Sequence, residues 1–183
     1  MEKNIDCLEC DGSYVLREGK YGLFFGCSNW PRCNSKMSLN KYMSIFFSEN
    51  GINVYRWKRK CWKCASNIDI YSYFLMYELR NVHRYFRSMQ GVGLGDVPSI
   101  DAQLSKVVPS ISKNYSYTVH EEYYSNVCPI CGALQGKYYV VTDPHDILMD
   151  LERESMDKYL YCTLSVSEDL LLKDFKGCES LKL

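Results

Sequence analysis

Cys7-Leu8-Glu9-Cys10 and, after residues 11–26, Cys27-Ser28-Asn29-Trp30-Pro31-Arg32-Cys33 decide how the first part of this chain folds. A Cys-x2-Cys pair on a tight turn can direct both sulfurs at one ion, and a second cysteine pair completes a tetrahedral thiolate site. The residues between the pairs read as a hairpin. Ser13-Tyr14-Val15-Leu16-Arg17 is a strand candidate, Glu18-Gly19-Lys20 a turn, and Tyr21–Gly26 a second strand that delivers Cys27. The glycines allow the tight turn and the close backbone approach that such a site needs.

The same arithmetic extends along the chain. Of ten cysteines, a second group of four is formed by Cys61-x2-Cys64 and Cys128-x2-Cys131, with residues 65–127 between them. Disulfides require an oxidising compartment. The opening Met1-Glu2-Lys3-Asn4-Ile5-Asp6 has no basic region followed by an apolar stretch, so no secretory signal is read, and no apolar run approaches a membrane span. The expectation is a cytoplasmic protein with reduced thiols, no membrane association and no small-molecule substrate. Neither Cys61 nor Cys128 lies in the βαβ context of a redox Cys-x2-Cys. Four thiolates suit zinc, two structural ions per chain; the separated knuckles favour zinc over an iron–sulfur cluster, although spacing alone leaves iron open at the second site. The cysteines complete both sites without His83 or His120. Cys162 and Cys178 read as small buried hydrophobes.

Net formal charge is zero, so any nucleic-acid contact must come from local patches. Sixteen tyrosines supply flat contact area that suits strands, interfaces and base stacking alike. Two signatures accompany the first cysteine group: Arg17-Glu18-Gly19-Lys20-Tyr21-Gly22 and Gly26-Cys27-Ser28-Asn29-Trp30-Pro31-Arg32-Cys33. With the ligand spacing, they make residues 5–37 closely resemble the four-cysteine zinc finger at the C-terminus of bacterial type IA DNA topoisomerases. Leu8 and Asp11 depart from the family's proline and glycine, and Gly12 is expected to take over the turn. The resemblance implies contact with DNA, chiefly single strands. Arg17, Lys20 and Arg32, with Lys36, give positive charge, and Tyr21 and Trp30 are stacking candidates; Phe24 or Phe25 is assigned to the small core. Topoisomerase catalysis uses a nucleophilic tyrosine and an acidic metal cluster containing Asp-x-Asp, which does not occur in this sequence. The finger is therefore expected to act as a non-catalytic accessory.

Tyr55–Cys64 is the densest basic segment. Arg56, Lys58, Arg59, Lys60 and Lys63 alternate with Tyr55, Trp57 and Trp62, as in a strand-tracking groove or a charged edge strand. Trp57 is the stacking candidate here. Ile68–Tyr73 and residues 137–141 read as strands. Leu75, Leu79, Val82, Phe86 and Met89 recur at helical spacing, predicting an amphipathic helix over 74–90, and residues 91–116 read as loop. The stretch from Cys61 to Val141 resembles a zinc-ribbon module of bacterial proteins, marked by Cys-Trp-Lys-Cys and Cys-Pro-x-Cys-Gly-Ala-Leu-Gln-Gly, and brings no activity with it. Ile147, Leu148, Leu151, Met156, Tyr159 and Leu160 predict a helix in the tail.

The fold class expected is small α+β. It consists of two zinc ribbons built on short antiparallel hairpins, the second with a helical insertion over about 74–116, and a C-terminal helix. The domains expected are 1–42, 43–142 and 143–183. The function expected is a zinc-dependent single-stranded-DNA-binding protein. A protein-interaction adaptor is the alternative. A metal-dependent nuclease is third: Glu18-Gly19-Lys20 mimics a Glu-x-Lys element, and Asp143, His145, Asp146 and Asp150 cluster at a helix start, where the dipole favours acids.

Overall fold

The computed structural model describes residues 5–88, 92–137, 140 and 156–177. The fold is small α+β with antiparallel sheets. It divides into two compact units that are not consecutive blocks of sequence. One gathers the described parts of 1–51, 75–92 and 165–183, the other those of 52–74 and 93–164.

The first unit is built on the predicted hairpin. Strands β1 (Tyr14–Gly19) and β2 (Gly22–Cys27) pair antiparallel from Tyr14↔Cys27 to Gly19↔Gly22, and β3 (Lys36–Met37) adds to β2. Lys20 and Tyr21 make the turn, and Gly22 takes φ +103°, which only glycine adopts without strain. Helix α1 (Leu39–Asn50), which the sequence reading did not place, follows directly. Its stop signals are local. Ser38 Oγ accepts from Lys41 N at the start, and Gly51, at φ +73°, donates its N–H to Phe47 O at the end. Leu39, Tyr42, Met43 and Phe46 face inward, and the Tyr42 ring lies flat on Phe25, with centroids 3.5 Å apart and planes 4° from parallel. This stack fixes the ribbon to the helix and assigns Phe25, rather than Phe24, to the core. Tyr14 closes the same core, its hydroxyl sharing a 2.7 Å hydrogen bond with Ser35 Oγ.

Two helical expectations change. The helix predicted over 74–90 is broken into α2 (Leu75–Leu79) and a 3-10 segment, Arg84–Ser88. Leu79 O accepts from both Val82 N and His83 N, ending α2, and His83 Nδ1 then takes the Tyr85 N–H, starting the next turn. Leu75, Leu79 and Phe86 remain buried, so the periodicity marked the apolar face but not continuity; Met89 lies outside the described residues. In the tail, residues 143–155 lie outside the described residues, and Met156–Tyr159 is a 3-10 turn leading into a strand. A C-terminal helix is present as α4 (Glu168–Gly177), which buries Leu171 and Phe175 one turn apart. Phe175 meets Phe47 of α1 edge-on, and Lys41 pairs with Glu168.

The second unit holds two three-stranded sheets. One is ordered β5-β4-β9, from β4 (Ile52–Lys60), β5 (Asn67–Tyr73) and β9 (Leu160–Leu164). The other is β6-β7-β8, from β6 (Ile111–Ser116), β7 (Glu121–Val127) and β8 (Leu134–Gln135). The stretch 91–116, read as loop, contains β6 and also helix α3 (Pro98–Val107). Its glycines and proline misled that reading. Pro98 begins the helix, where a missing N–H costs nothing. Gly95 supplies a positive φ, and its N–H is accepted by the buried Asp101 carboxylate, which also accepts from Tyr73 Oη. Residues 137–141, read as a strand, are helical where described: Val140 N donates to Gly136 O.

One side chain joins the two sheets. Asn126 on β7 accepts from Tyr71 N and donates to Tyr71 O, both at 2.9 Å, so its amide stands in for a strand at the edge of β5. Asn126 is buried, and its loss leaves that backbone pair without partners. Asn126→Leu is expected to lower stability by about 1–3 kcal/mol, the sum of two such bonds, measured as a lower urea midpoint at unchanged slope.

Candidate metal centres and nucleic-acid interface

Two groups of sulfurs converge, each with all four atoms within 4.8 Å of one another: Cys7, Cys10, Cys27 and Cys33 in the first unit, Cys61, Cys64, Cys128 and Cys131 in the second. Cys7 and Cys33 sulfurs lie 3.7 Å apart and those of Cys10 and Cys27 3.4 Å; in the second group Cys61–Cys131 and Cys64–Cys128 are each 3.7 Å. A tetrahedron with zinc–sulfur bonds of about 2.3 Å has edges of about 3.8 Å. The separations are too long for disulfides and match a four-thiolate zinc site. The described cysteines are all unbridged.

The backbone that holds the sulfurs repeats. In all three Cys-x2-Cys knuckles the first cysteine donates its N–H to the carbonyl five residues later: Cys7 to Gly12, Cys61 to Ser66, Cys128 to Ala133. In the second site the residue after each knuckle turns left-handed. Gly132 does so at φ +71° and Ala65 at φ +58°, donating to Cys128 O and Cys61 O. In the first site Gly12 has no positive φ. It is glycine for another reason: a Cβ there would stand 2.8 Å from Ser28 Oγ and 3.0 Å from Cys27 Sγ. Asp11 has no positive φ either, and its carboxylate accepts from Asn29 Nδ2.

Without an ion the sulfurs hold protons unequally. Burial and the sulfurs of Cys10, Cys7 and Cys33 push Cys27 up to about 12. At Cys7 burial acts upward too, but the backbone hydrogen bond at Glu9 and the neighbouring thiols hold it at about 6. In the second site, hydrogen bonds from Ser66 lower Cys64 to about 6, while at Cys131 burial and three sulfurs outweigh the Ala133 bond and raise it to about 12. Four thiolates at this spacing repel, and a divalent cation is what lets all four ionise. Polar N–H groups already point at the sulfurs: Gly12 N at Cys10, Asn29 N at Cys27, and Lys63 N and Gln135 Nε2 at Cys61. Asn29 and Gln135 were not singled out from the sequence; an amide next to a cysteine carries no signal until the sulfurs are placed.

The candidate nucleic-acid residues divide. On the first ribbon a cleft of about 510 Å³ is lined by Arg17, Glu18, Phe24, Trp30, Asn34 and Lys36, floored by Gly26 and Cys27. Gly26 leaves room for Arg17, whose Cδ would be 3.0 Å from a Cβ there. Arg17 Nη2 donates to Cys27 O, and its buried Nε has no hydrogen-bond partner. Trp30 is 63 % exposed at the rim. Lys20, Tyr21 and Arg32 are exposed on the ribbon but do not line the cleft; Tyr21, at the hairpin tip, is 93 % exposed with Lys20 over its ring. On β4, Arg56, Lys58 and Lys60 face solvent, whereas Arg59 is half-buried and reaches Val140 O. Trp57 is only 9 % exposed and packs on Phe74, so its ring lies in the core. Glu18 and Lys20 flank the ribbon turn; Asp143, His145, Asp146, Asp150 and Cys178 lie outside the described residues. Cys162 is half-buried on β9.

Residues 4–42 match the topoisomerase DNA-binding C4 zinc finger family. The chain is 51 % identical over 40 residues to DNA topoisomerase 1 of Methanocaldococcus jannaschii, a match covering 22 % of this chain and 5 % of that protein. It is 31 % identical over 77 residues to DNA topoisomerase 1 of Escherichia coli, covering 37 % and 9 %. The chain thus spans a small part of the curated relatives it matches. No solved structure matches it significantly. Among the described residues, no helix is long and apolar enough to cross a membrane. The topoisomerase-type finger and its thiolate geometry together support zinc as the bound ion.

Zinc quantification is expected to give two ions per chain. Chelation should collapse both hairpin pairs, because structural zinc contributes about 10–16 kcal/mol in small zinc-finger peptides. Binding requires thiolates, so zinc is held at neutral pH and released as the pH falls, which a chromogenic chelator will follow. Ala65→Gly removes a left-handed alanine and is expected to raise stability by about 0.5–1 kcal/mol despite the freer unfolded chain, visible as a higher midpoint in urea with zinc content unchanged.

Proposed function

We propose that this protein binds single-stranded DNA through the cleft of its topoisomerase-type finger and acts without catalysing strand passage, in the cytoplasm. The observation that carries this reading is the cleft itself. It sets an exposed indole, Trp30, beside the cations Arg17 and Lys36, with one acidic residue, Glu18, at its edge. A base can stack on Trp30 while its phosphate meets the cations, and stacking reads no particular base. A base splayed from a single strand is free to stack on an exposed ring, whereas a base in a duplex is already paired and stacked. The relatives' names tie the matched segment to proteins that act on DNA. The family match lies on the finger, and the matches to these relatives cover only 5 % and 9 % of their length, which supports an accessory binding role.

A second reading, a protein-interaction adaptor, draws on Leu8, Trp62 and Ile130, which stand exposed at knuckle tips. A stoichiometric protein recovered by pull-down and insensitive to nuclease would favour it.

Fluorescence anisotropy with zinc-loaded protein is expected to show tighter binding to a single strand than to its duplex. If about four phosphates are neutralised, at a slope of roughly −0.7 each, affinity falls about fifty-fold between 50 and 200 mM salt. Trp30→Ala and Arg17→Gln should each weaken binding about tenfold while both zinc ions stay bound. No binding at low salt by zinc-loaded protein overturns the reading.

A further inference from the structure

The sheet β5-β4-β9 turns one face inward and leaves the other partly open. Inward go Tyr55, Trp57, Ile68 and Ile70, all buried, with Phe74 beside the Tyr55 and Trp57 rings. Toward solvent go Arg56, Lys58 and Lys60, paired across the ladder with Tyr71, Asp69 and Asn67. At the other edge, β4 and β9 slip register between Val54 and Tyr55, where the ladder passes from Cys162 to Leu160 and skips Tyr161. The slip places Tyr161, 40 % exposed, against this same face: its ring stands 5.1 Å from the Tyr71 ring at 73°, and the Arg56 guanidinium lies 5.3 Å from its centroid. The result is a strip that begins in two tyrosine rings and continues as a line of cations to the knuckle at Cys61.

We propose that this face is a second single-strand-binding surface, in which Tyr71 and Tyr161 stack on bases while Arg56, Lys58 and Lys60 track the backbone. The proposal rests on the reading of the chain as a single-stranded-DNA binder and extends it to a part of the protein outside the finger match. Three physical features carry it. The rings and the cations share one face: strand alternation puts Arg56, Lys58, Lys60 and Tyr71 there, and the register slip of β9 adds Tyr161. The cations recur every second strand residue, about 6.6 Å apart; phosphates of a stretched single strand stand at a similar interval, about twice the 3.4 Å per strand of a stacked duplex. The charge favours phosphate: among the described residues of β4 and β5, Arg56, Lys58 and Lys60 share this face with one carboxylate, Asp69. That carboxylate pairs with Lys58 at 3.0 Å, a pair exposed enough for a phosphate to compete. Arg56 holds the Tyr161 ring in place, so little side-chain freedom is lost when a base arrives.

The test uses the full zinc-loaded chain and a fluorescein-labelled oligothymidylate of about 20 nucleotides, longer than the roughly 4–16 that one small binding fold covers. Tyr161→Ala and Arg56→Gln are each expected to weaken binding about tenfold, and Tyr161→Phe to keep it. Arg56→Gln and Lys58→Gln should each lower the salt slope by about 0.7. Zinc content and melting temperature equal to wild type show that the variants fold. If Tyr161→Ala and Arg56→Gln bind as wild type while Trp30→Ala is impaired, the finger acts alone and the second surface is overturned with the proposed function intact. No binding by the wild-type chain overturns both. A protein partner lost on Tyr161→Ala, with oligothymidylate affinity unchanged, also overturns it and makes the face a protein-docking site.

Discussion

Repulsion between crowded sulfurs governs the rest of this structure. Four thiols within 4.8 Å of one another, at two places, can neither all ionise alone nor pair as disulfides at 3.4–3.7 Å. A divalent ion resolves the conflict, and the chain around each site is shaped to present sulfur to it. The repeated bond from the first cysteine's N–H to the carbonyl five residues on gives all three Cys-x2-Cys knuckles one geometry. Where that geometry demands a left-handed residue, the second site supplies glycine once and alanine once. In the second unit the ion does topological work as well: it closes cysteines on β4–β5 against cysteines on β7–β8, and Asn126 then laces the two sheets together at Tyr71.

What could be read from the sequence follows from which signals are local. Cysteine spacing is local, and both thiolate groups assembled as read. The β1–β2 hairpin is local too, with strand ends shifted by one or two residues. Helix α1 was missed although Ser38 and Gly51 bracket it, because its apolar residues crowd too wide a face to show a clean period. The 74–90 periodicity was real in burial, yet His83 diverts the Tyr85 N–H and breaks the helix, an effect of one ring nitrogen that no pattern records. Around α3, the glycine and proline that suggested loop are the residues that make the turn and start the helix.

The binding residues show the same division. The Tyr55–Lys63 segment suggested a mixture of rings and cations, and alternation along β4 sorts them onto opposite faces. Trp57 goes to the core, Arg56 and Lys58 to solvent. The rings beside those cations come from β5 and from a slipped position on β9, more than ninety residues later in the chain. Composition counts tyrosines but cannot say which strand will lie beside which. On the finger, by contrast, Arg17 and Trp30 lie close in sequence and meet in one cleft, so the hairpin alone was enough to bring them together.

The Phe25–Tyr42 stack bears on how portable the finger is. The segment matching topoisomerase fingers stops at residue 42, and Tyr42 is the lid over the ribbon's aromatic centre. A cassette ending there would carry its own cover. In this chain the helix runs on to Asn50, and Phe47 on that extension is met by Phe175 from the last described helix. The module has thus been sutured to its host: excising it after Asn50 would strip Phe47 of its neighbour and leave a greasy flank open to self-association. What is a detachable bead in sequence comparison is, in this molecule, a piece whose solubility depends on the far end of the chain.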